Sequence, residues 1–149
     1  MEKQYITIAL QEAQKAAARN EVPVGAVIVD SKTGKIIASA GNLVEELQDP
    51  IAHAEILAIK AACKAKNSWH LDDCDLYVTL EPCPMCAQAI SFARIRRLYF
   101  SAYDIKSGGV EHGAKVFEAS SCHHKPEIYG GINEKQASDL LKSFFQNKR

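Results

Sequence analysis

The spacing of hydrophobic positions changes along the first third of the chain. Near the N-terminus the spacing is helical and predicts an amphipathic helix with its apolar positions at Ile6, Ala9, Leu10, Ala13 and Ala17. After Pro23, residues 24–29 and 35–40 form two short apolar runs, and residues 30–34 between them are turn formers. This pattern predicts a β-hairpin.

The middle of the chain alternates further between the two kinds of spacing. Helices are predicted over residues 53–66 and 83–92, and buried strands over residues 76–80 and 98–102. Helices that alternate with strands in this order predict an α/β protein, with a layered sheet covered by helices on both faces. Ligands of such sheets gather at strand ends.

A last amphipathic helix is predicted after Asn133, which with Gln136 has the spacing of a capping box. Its apolar positions are Ala137, Leu140, Leu141, Phe144 and Phe145. Because two phenylalanines are adjacent, at least one must lie near the edge of the apolar face. That ring is free to stack on a base or to pack at a subunit interface.

Composition agrees with a single compact enzyme. The 149 residues are 47% hydrophobic and 24% charged, so we expect one globular domain over residues 1–149. The first residues mix charges with amphipathic spacing, which argues against a signal peptide or a membrane span. Five cysteines, an odd number, favour a reducing cytoplasm.

Two short segments carry the candidate chemistry. His53-Ala54-Glu55 reads H-x-E, and Pro82-Cys83-Pro84-Met85-Cys86 reads P-C-x-x-C. A catalytic zinc takes three protein ligands and leaves a fourth position for water, and His53, Cys83 and Cys86 supply that number. Glu55 is then the proton shuttle. The pair of motifs is the signature of zinc-dependent nucleobase deaminases.

Local geometry favours this interpretation for the cysteines and leaves it open for the H-x-E motif. Prolines bracket Cys83 where an apolar stretch begins, so Cys83 and Cys86 are expected on one face of a first helical turn. His53 and Glu55 are two residues apart, which is a rotation of roughly 200° along a regular helix. They face one site only at a helix start, or through different side-chain reach.

Each motif alone has a plainer interpretation. An isolated H-x-E after Pro50 is compatible with a solvated helix start, and an isolated C-x-x-C with a redox pair or a structural zinc site. A structural site needs four ligands, and a redox pair has no use for H-x-E. Cys122 next to His123 and His124 suggests a second metal site, but the absence of a spaced fourth ligand favours a polar loop.

Beyond these motifs, the chain resembles the bacterial tRNA adenosine deaminases along nearly its whole length. The segments that carry the resemblance are 21–26, 49–55, 76–83, 102–108 and 140–145. The resemblance implies a three-layer α/β/α, cytidine-deaminase-like fold with a mixed sheet of about five strands. It also implies one zinc ion per subunit, a homodimer, and hydrolytic deamination of adenosine to inosine at the wobble position of a tRNA anticodon loop.

The same resemblance implies substrate-binding residues. Asn42 would contact the flipped nucleoside, and Ala54 and Pro82 would also border the substrate. The residues that would hold flanking nucleotides are Asp104, Lys106, Phe145 and Lys148. The sequence departs from the family pattern in two places. Residues 110–127 differ from it, and Lys148 stands where an arginine is common. A lysine contacts phosphate through a single ammonium charge, whereas an arginine does so through a planar guanidinium group.

Net charge does not by itself indicate an RNA-binding protein. The chain has 18 basic and 18 acidic residues, without the excess of positive charge that many RNA-binding proteins show. A local patch would suffice for a small RNA loop. Its candidates are Arg94, Arg96, Arg97, Lys106, Lys142, Lys148 and Arg149, of which at least half are expected to be plain solvated surface.

Two other functions compete with tRNA editing. A deaminase of a free base or nucleoside, such as guanine or cytosine, keeps the zinc site and Glu55 but has no need of Lys106, Phe145 or Lys148. A catalytically silent zinc-binding or RNA-binding module is the other alternative. Glu55 argues against this second alternative, because a structural site has no use for a proton shuttle.

Overall fold

The structure, a computed structural model, describes residues 2–148, so Arg149, a candidate of the basic patch, lies outside the described residues. The helices are α1 Glu2–Ala18, α2 Val44–Leu47, α3 Ala54–Lys66, α4 Pro84–Ala93 and α5 Glu134–Asn147, with a 3₁₀ turn at Val116–Glu118. The strands are β1 Gly25–Asp30, β2 Ile36–Gly41, β3 Cys74–Leu80, β4 Arg97–Ala102 and β5 Glu127–Tyr129. Helices α1, α3, α4 and α5 and strands β1 to β4 confirm the elements predicted from spacing.

The strands form one mixed sheet of five strands in the order β2-β1-β3-β4-β5. β1 is antiparallel to both β2 and β3, while β4 is parallel to both β3 and β5. The predicted hairpin and the predicted fold class are therefore confirmed. β5 and α2 have no counterpart among the predicted elements, because stretches of three and four residues are too short to show a periodicity.

Helices cover both faces of the sheet. α1 and α5 pack on one face, and α3 and α4 pack on the other. The central strand β1 shows why its sequence is continuously apolar: Ala26 and Ile28 point into the core under α3 and α4, whereas Val27 and Val29 point toward α1. Within the described residues, no helix is long and apolar enough to cross a membrane.

The segments that form the site lie along one edge of the sheet, meaning here the edge formed by the strand ends and not by an outer strand. β3 and β4 end there, and because β1 is antiparallel to β3, the start of β1 and the end of β2 lie at the same edge. Both motifs follow at this edge, His53 at the start of α3 and Cys83 at the start of α4. The prediction that ligand-binding motifs sit at strand ends and helix N-termini is confirmed.

The predicted capping box of the last helix is wrong. Asn133 does precede α5, but its backbone is left-handed, with φ 52° and ψ 39°, and its side chain makes no capping hydrogen bond. A capping side chain reaches the free N–H groups of the first turn from an extended backbone. The left-handed conformation of Asn133 directs its side chain elsewhere.

Candidate metal centre and substrate cleft

His53, Cys83 and Cys86 come together at the sheet edge. The Nδ1 atom of His53 lies 3.6 Å from the Sγ atom of each cysteine. The three candidate ligand atoms all lie within 4.8 Å of one another, and no second group of this kind occurs within residues 2–148. The structure thus assembles the three predicted ligand residues without any contribution from elsewhere in the chain.

This spacing fits a tetrahedral zinc ion. Zn–N and Zn–S distances of about 2.0 and 2.3 Å at a tetrahedral angle place nitrogen and sulfur roughly 3.5 Å apart. The observed 3.6 Å agrees with that value for both cysteines. One imidazole and two sulfurs also leave the fourth coordination position open, as a catalytic zinc site requires.

Backbone geometry at the two helix starts explains how the ligands converge. His53 precedes α3 with an extended backbone, φ −72° and ψ 152°, and Cys83 precedes α4 with φ −70° and ψ 171°. Because His53 is not yet helical, the rotation expected between helical residues does not separate it from Glu55. The helix start, and not a difference in reach, therefore brings His53 and Glu55 to one site.

The electrostatics of the two cysteines favour a thiolate at Cys83. A hydrogen bond from the Cys86 thiol lowers the pKa of Cys83 to about 4, and the same pairing raises the pKa of Cys86. Both residues also lie at the N-terminus of α4, where the helix dipole stabilises negative charge. Thiolate character is what zinc ligation requires.

Glu55 lies in the first turn of α3 with only 4% of its surface exposed. Burial raises the pKa of its carboxyl group to about 7, and the group contacts the Cys86 thiol. A buried carboxyl group whose pKa is near neutrality is able to accept and to give up a proton at the same site. This is the property that the proton-shuttle prediction requires.

A cleft of about 640 Å³ opens above this centre. Its floor contains His53, Glu55 and Cys83, and its apolar walls include Val24 and Leu80. The mouth is formed by what we call the rim, which consists of the turn 104–108 and of Phe145 and Lys148 at the end of α5. Asp104 and Ser107 of that turn, and both α5 residues, line the cleft.

Comparisons with known proteins place this geometry in a family. Residues 1–102 match the family model described as the cytidine and deoxycytidylate deaminase zinc-binding region. The tRNA-specific adenosine deaminase of Agrobacterium fabrum is 51% identical to the chain, over 97% of this chain and 94% of that protein. The chain belongs to the tRNA-specific adenosine deaminase family.

Solved structures agree with this assignment. A structure from a study of A-to-I editing by tRNA:A34 deaminases at the wobble position of transfer RNA is 51% identical, with a TM-score of 0.90 over 93% of this chain and 99% of that chain. The guanine deaminase of Bacillus subtilis is 31% identical, with a TM-score of 0.66 over 97% of this chain and 92% of that chain. The cytidine-deaminase-like fold and the His/Cys/Cys zinc site of this protein are thus properties of its family.

The structure places the predicted substrate residues in three different settings. Asn42, Asp104, Phe145 and Lys148 line the cleft. Lys106 is exposed at the tip of the turn 104–108. Ala54 and Pro82 are buried and are not part of the cleft lining.

Asn42 is the predicted residue with the most defined orientation. It is 8% exposed, and its Oδ1 atom accepts a 2.7 Å hydrogen bond from the N–H of Ala54. This bond caps the start of α3 and leaves the Nδ2 amino group of Asn42 as the donor available to a ligand. Ala54 therefore acts on the site through its backbone, with its side chain in the core.

Two buried glutamates flank the cleft and were not among the predicted site residues. Glu21, 1% exposed, accepts hydrogen bonds from the N–H groups of Glu45 (3.0 Å) and Glu46 (2.8 Å) at the start of α2. Glu81, also 1% exposed, accepts hydrogen bonds from the segment that follows β4. The signal in the sequence that could have identified Glu81 is a carboxylate directly beside an apolar run, in Leu80-Glu81-Pro82.

Three arginines of the candidate basic patch are used away from the cleft. Arg96 forms a bidentate pair with Asp75, at 2.9 and 2.7 Å. Arg97 pairs with Glu127, and the Arg94 guanidinium lies 6.0 Å from the centre of the Trp69 ring. Arg96 and Arg97 lie at the start of β4, the opposite edge of the sheet from the cleft.

The segment around Cys122 folds as the predicted polar loop. The Sγ atom of Cys122 lies 3.2 Å from the Ser91 hydroxyl, and Nε2 of His124 donates to the carbonyl of Ile95 at 2.7 Å. Among the residues that the structure describes, Cys122, His123 and His124 do not form a group able to hold a metal ion. The alternative of a second metal site is therefore not supported.

Proposed function

We propose that this protein hydrolytically deaminates adenosine to inosine at the wobble position of a tRNA anticodon. One observation supports this most strongly: the His53, Cys83 and Cys86 group lies beside buried Glu55 in a chain 51% identical, over 97% of its length, to a tRNA-specific adenosine deaminase. The chemistry of the centre and the family assignment agree.

The residues of the centre divide the work of the reaction. Zinc, when bound by His53, Cys83 and Cys86, supplies an activated water molecule at neutral pH. Glu55 takes up a proton from that nucleophile and delivers it to ring nitrogen N1. It then takes up the proton of the hydroxyl group added at the reacting carbon and delivers it to the amino group, which departs as ammonia. Its burial beside Cys86 keeps the carboxyl group within reach of the reacting carbon and away from bulk water.

The cleft residues hold the adenosine and its neighbours. Nδ2 of Asn42 is placed to donate to the nucleoside, and Val24 and Leu80 supply apolar surface beside it. At the rim, Phe145 is placed to stack on a flanking base and Lys148 to meet a phosphate. An anticodon-loop nucleotide is already partly unstacked, which reduces the few kcal/mol needed to extrude a base from a duplex.

The decisive experiment is an inosine assay. Zinc-loaded protein is incubated with an anticodon stem-loop that carries adenosine at the wobble position, beside free adenosine, guanine and cytosine. Inosine in the stem-loop alone would support the proposal. Ammonia release from a free base alone would support the proposed zinc chemistry but would show that the substrate is a free base and not RNA. A stem-loop with guanosine at the wobble position serves as the matched blank.

Deamination of free guanine is the second candidate. It is favoured by the 31% identity to the Bacillus subtilis guanine deaminase over 97% of this chain. Two observations favour RNA over a free base: identity to the tRNA-specific enzyme is higher, at 51%, and the cleft extends to an exposed aromatic and a lysine at the rim. A free base occupying the floor has no use for Phe145 or Lys148.

We also propose that the protein is a homodimer. Trp69 and Phe92, with exposed fractions of 64% and 69%, line one shallow cavity. Two exposed aromatic rings in one patch are typical of a protein interface. Sedimentation equilibrium of Phe92→Ser against the unmodified protein tests this, with a shift from dimer to monomer expected.

Two further properties complete the proposal. The described helices and strands pack on one sheet, which supports a single deaminase domain over residues 1–149. A cytoplasmic location is supported by the cysteines, all five of which are free thiols, and two of which the zinc site needs in reduced form.

A further inference from the structure

Glu81 stands between the end of β3 and the zinc-ligand residue Cys83, and its side chain is fully buried, with 0% of its surface exposed. Oε1 accepts hydrogen bonds from the Asp104 N–H at 3.0 Å and from His112 Nδ1 at 2.9 Å. Oε2 accepts from the N–H groups of Glu111 and His112, both at 2.9 Å, and of Val110 at 3.3 Å. A buried carboxylate is tolerated only when it is satisfied in this way.

All five donors belong to one segment, residues 104–112. The segment also contacts the metal-ligand loop directly, because the N–H of Gly109 donates to the carbonyl of Pro82 at 2.8 Å. Space between them is minimal: a Cβ atom at Gly108 would lie 2.5 Å from Glu81 Oε2, and one at Gly109 would lie 2.6 Å from the nitrogen of Pro84. Segment 104–112 is thus wrapped around Glu81 and pressed against the start of α4.

The same segment carries the exposed part of the rim. Oδ1 of Asp104 accepts the N–H of Ser107 at 2.9 Å, and the carbonyl of Asp104 accepts the N–H of Gly108 at 3.0 Å. These bonds close a tight turn whose tip is formed by Ile105, which is 78% exposed, and Lys106. Because the N–H of Asp104 is bound to Glu81, the carboxylate sets the position of this tip relative to Cys83.

We infer that Glu81, with His112 as its side-chain partner, is a positioning residue for RNA: it fixes segment 104–112 against the zinc-ligand loop, so that the turn tip meets the nucleotides beside the target adenosine. This inference rests on the proposed function. Among the residues that the structure describes, His112 contributes the one side-chain donor to the carboxylate, and its ring is packed edge-on against Tyr103, with ring centres 5.7 Å apart.

The experiment compares two substitutions of His112 with a control elsewhere. His112→Leu removes the donor, His112→Asn keeps a short side-chain N–H donor, and Gln11→Leu removes an exposed polar side chain from α1, outside the cleft lining. Each zinc-loaded variant is assayed for kcat and KM on the wobble-adenosine stem-loop. Zinc content and melting temperature are measured in parallel.

We expect His112→Leu to raise KM about tenfold, the effect of losing one hydrogen bond to a charged group, with kcat changed less than about twofold. His112→Asn should restore KM to within about threefold of the unmodified protein, and Gln11→Leu should leave KM unchanged. Glu81→Gln places an amide N–H against backbone N–H donors and should raise KM further. If Glu81→Gln does not fold, the His112 variants still test whether Glu81 positions segment 104–112.

A merely structural role would lower the active fraction, and with it apparent kcat and melting temperature, and would leave KM alone. That result for His112→Leu would overturn the inference, as would His112→Asn behaving like His112→Leu. Unmodified protein that leaves the stem-loop unchanged would overturn the proposed function together with this inference. An active unmodified protein with an unaltered KM for His112→Leu would overturn the inference alone.

Discussion

The metal centre and the rim of the cleft differ in how they are held. The centre is formed by buried or half-buried side chains at two helix starts, each fixed by the sheet behind it. The rim is formed by a turn and by the last residues of α5, with exposed fractions of 78% at Ile105 and 51% at Phe145. The candidate chemistry thus lies on elements packed against the sheet, and the proposed RNA contacts lie on exposed ones.

This contrast predicts two classes of substitution. Changes at the centre should abolish turnover on every substrate, since the zinc ligands and the proton shuttle serve the reaction itself. Changes at the rim should weaken RNA recognition and leave zinc content and chemistry intact, because no rim residue supplies a ligand atom to the group of His53, Cys83 and Cys86. The following experiments test the contrast from the largest expected effect to the smallest.

Cys83→Ser should remove stoichiometric zinc and leave no detectable turnover, because a hydroxyl group is a far weaker zinc ligand than a thiolate. Elemental analysis and the inosine assay measure the two effects. Cys122→Ser is the matched control, a half-buried cysteine outside the centre, and should change neither. Full zinc occupancy in Cys83→Ser would contradict the ligand assignment.

Glu55→Gln should retain zinc and the fold but lower kcat by about 10²–10⁴-fold, the usual contribution of a general acid–base group. The amide is nearly isosteric with the carboxyl group and transfers no proton. Glu46→Gln, at an exposed position of α2, is the matched control. Turnover close to that of the unmodified protein would remove Glu55 from the mechanism.

Phe145→Ala should raise KM for the stem-loop about tenfold, as the loss of one stacked base predicts, with kcat nearly unchanged. The ring is 51% exposed and lines the cleft, so it is free to meet a base. Phe145→Leu keeps apolar volume but lacks the flat ring. If the leucine variant behaves like the unmodified protein, Phe145 acts by packing and not by stacking.

Lys106→Ala should weaken RNA binding modestly and reduce the slope of log affinity against log salt concentration by about 1, as the loss of one phosphate contact predicts. Fluorescence anisotropy of a labelled stem-loop over a salt series measures this slope. Lys60→Ala, exposed on α3, is the control. An unchanged slope for Lys106→Ala would assign this lysine to plain solvated surface.

Arg96→Ala should leave RNA affinity unchanged and lower the free energy of unfolding by about 1–3 kcal/mol, because it leaves the buried carboxylate of Asp75 without its partner. Urea unfolding measures the loss. Arg97→Ala breaks a more exposed pair with Glu127 and should cost less than about 1 kcal/mol. Weaker RNA binding by Arg96→Ala would extend the RNA surface to the opposite edge of the sheet.

Local sequence patterns predicted much of this molecule correctly. Each end of α3, α4 and β4 agrees with the predicted residue or differs from it by one position. The three ligand residues also meet as predicted: one helix start sets the geometry within each motif, and the sheet brings the two helix starts together. Where short segments carry no periodicity, as at β5, the pattern gave no signal.

Other features depended on partners far away in the sequence. The backbone of Asn133 is left-handed, so its capping-box spacing did not produce a cap. The role of Glu81 depends on donors from residues 104–112, and that of Glu21 on donors from residues 45 and 46. No spacing rule within either glutamate's own segment reveals such a partner.

The sequence by itself determined the fold class, the three candidate metal ligands and the carboxyl group that serves them. These follow from hydrophobic periodicity and from residue chemistry, which act over a few neighbouring positions. Only the tertiary structure decided that His53 and Glu55 share one site, that Ala54 acts through its backbone N–H, and that Glu81 holds the rim segment against Cys83. Burial and hydrogen bonding between distant segments exist only once the sheet has brought those segments together.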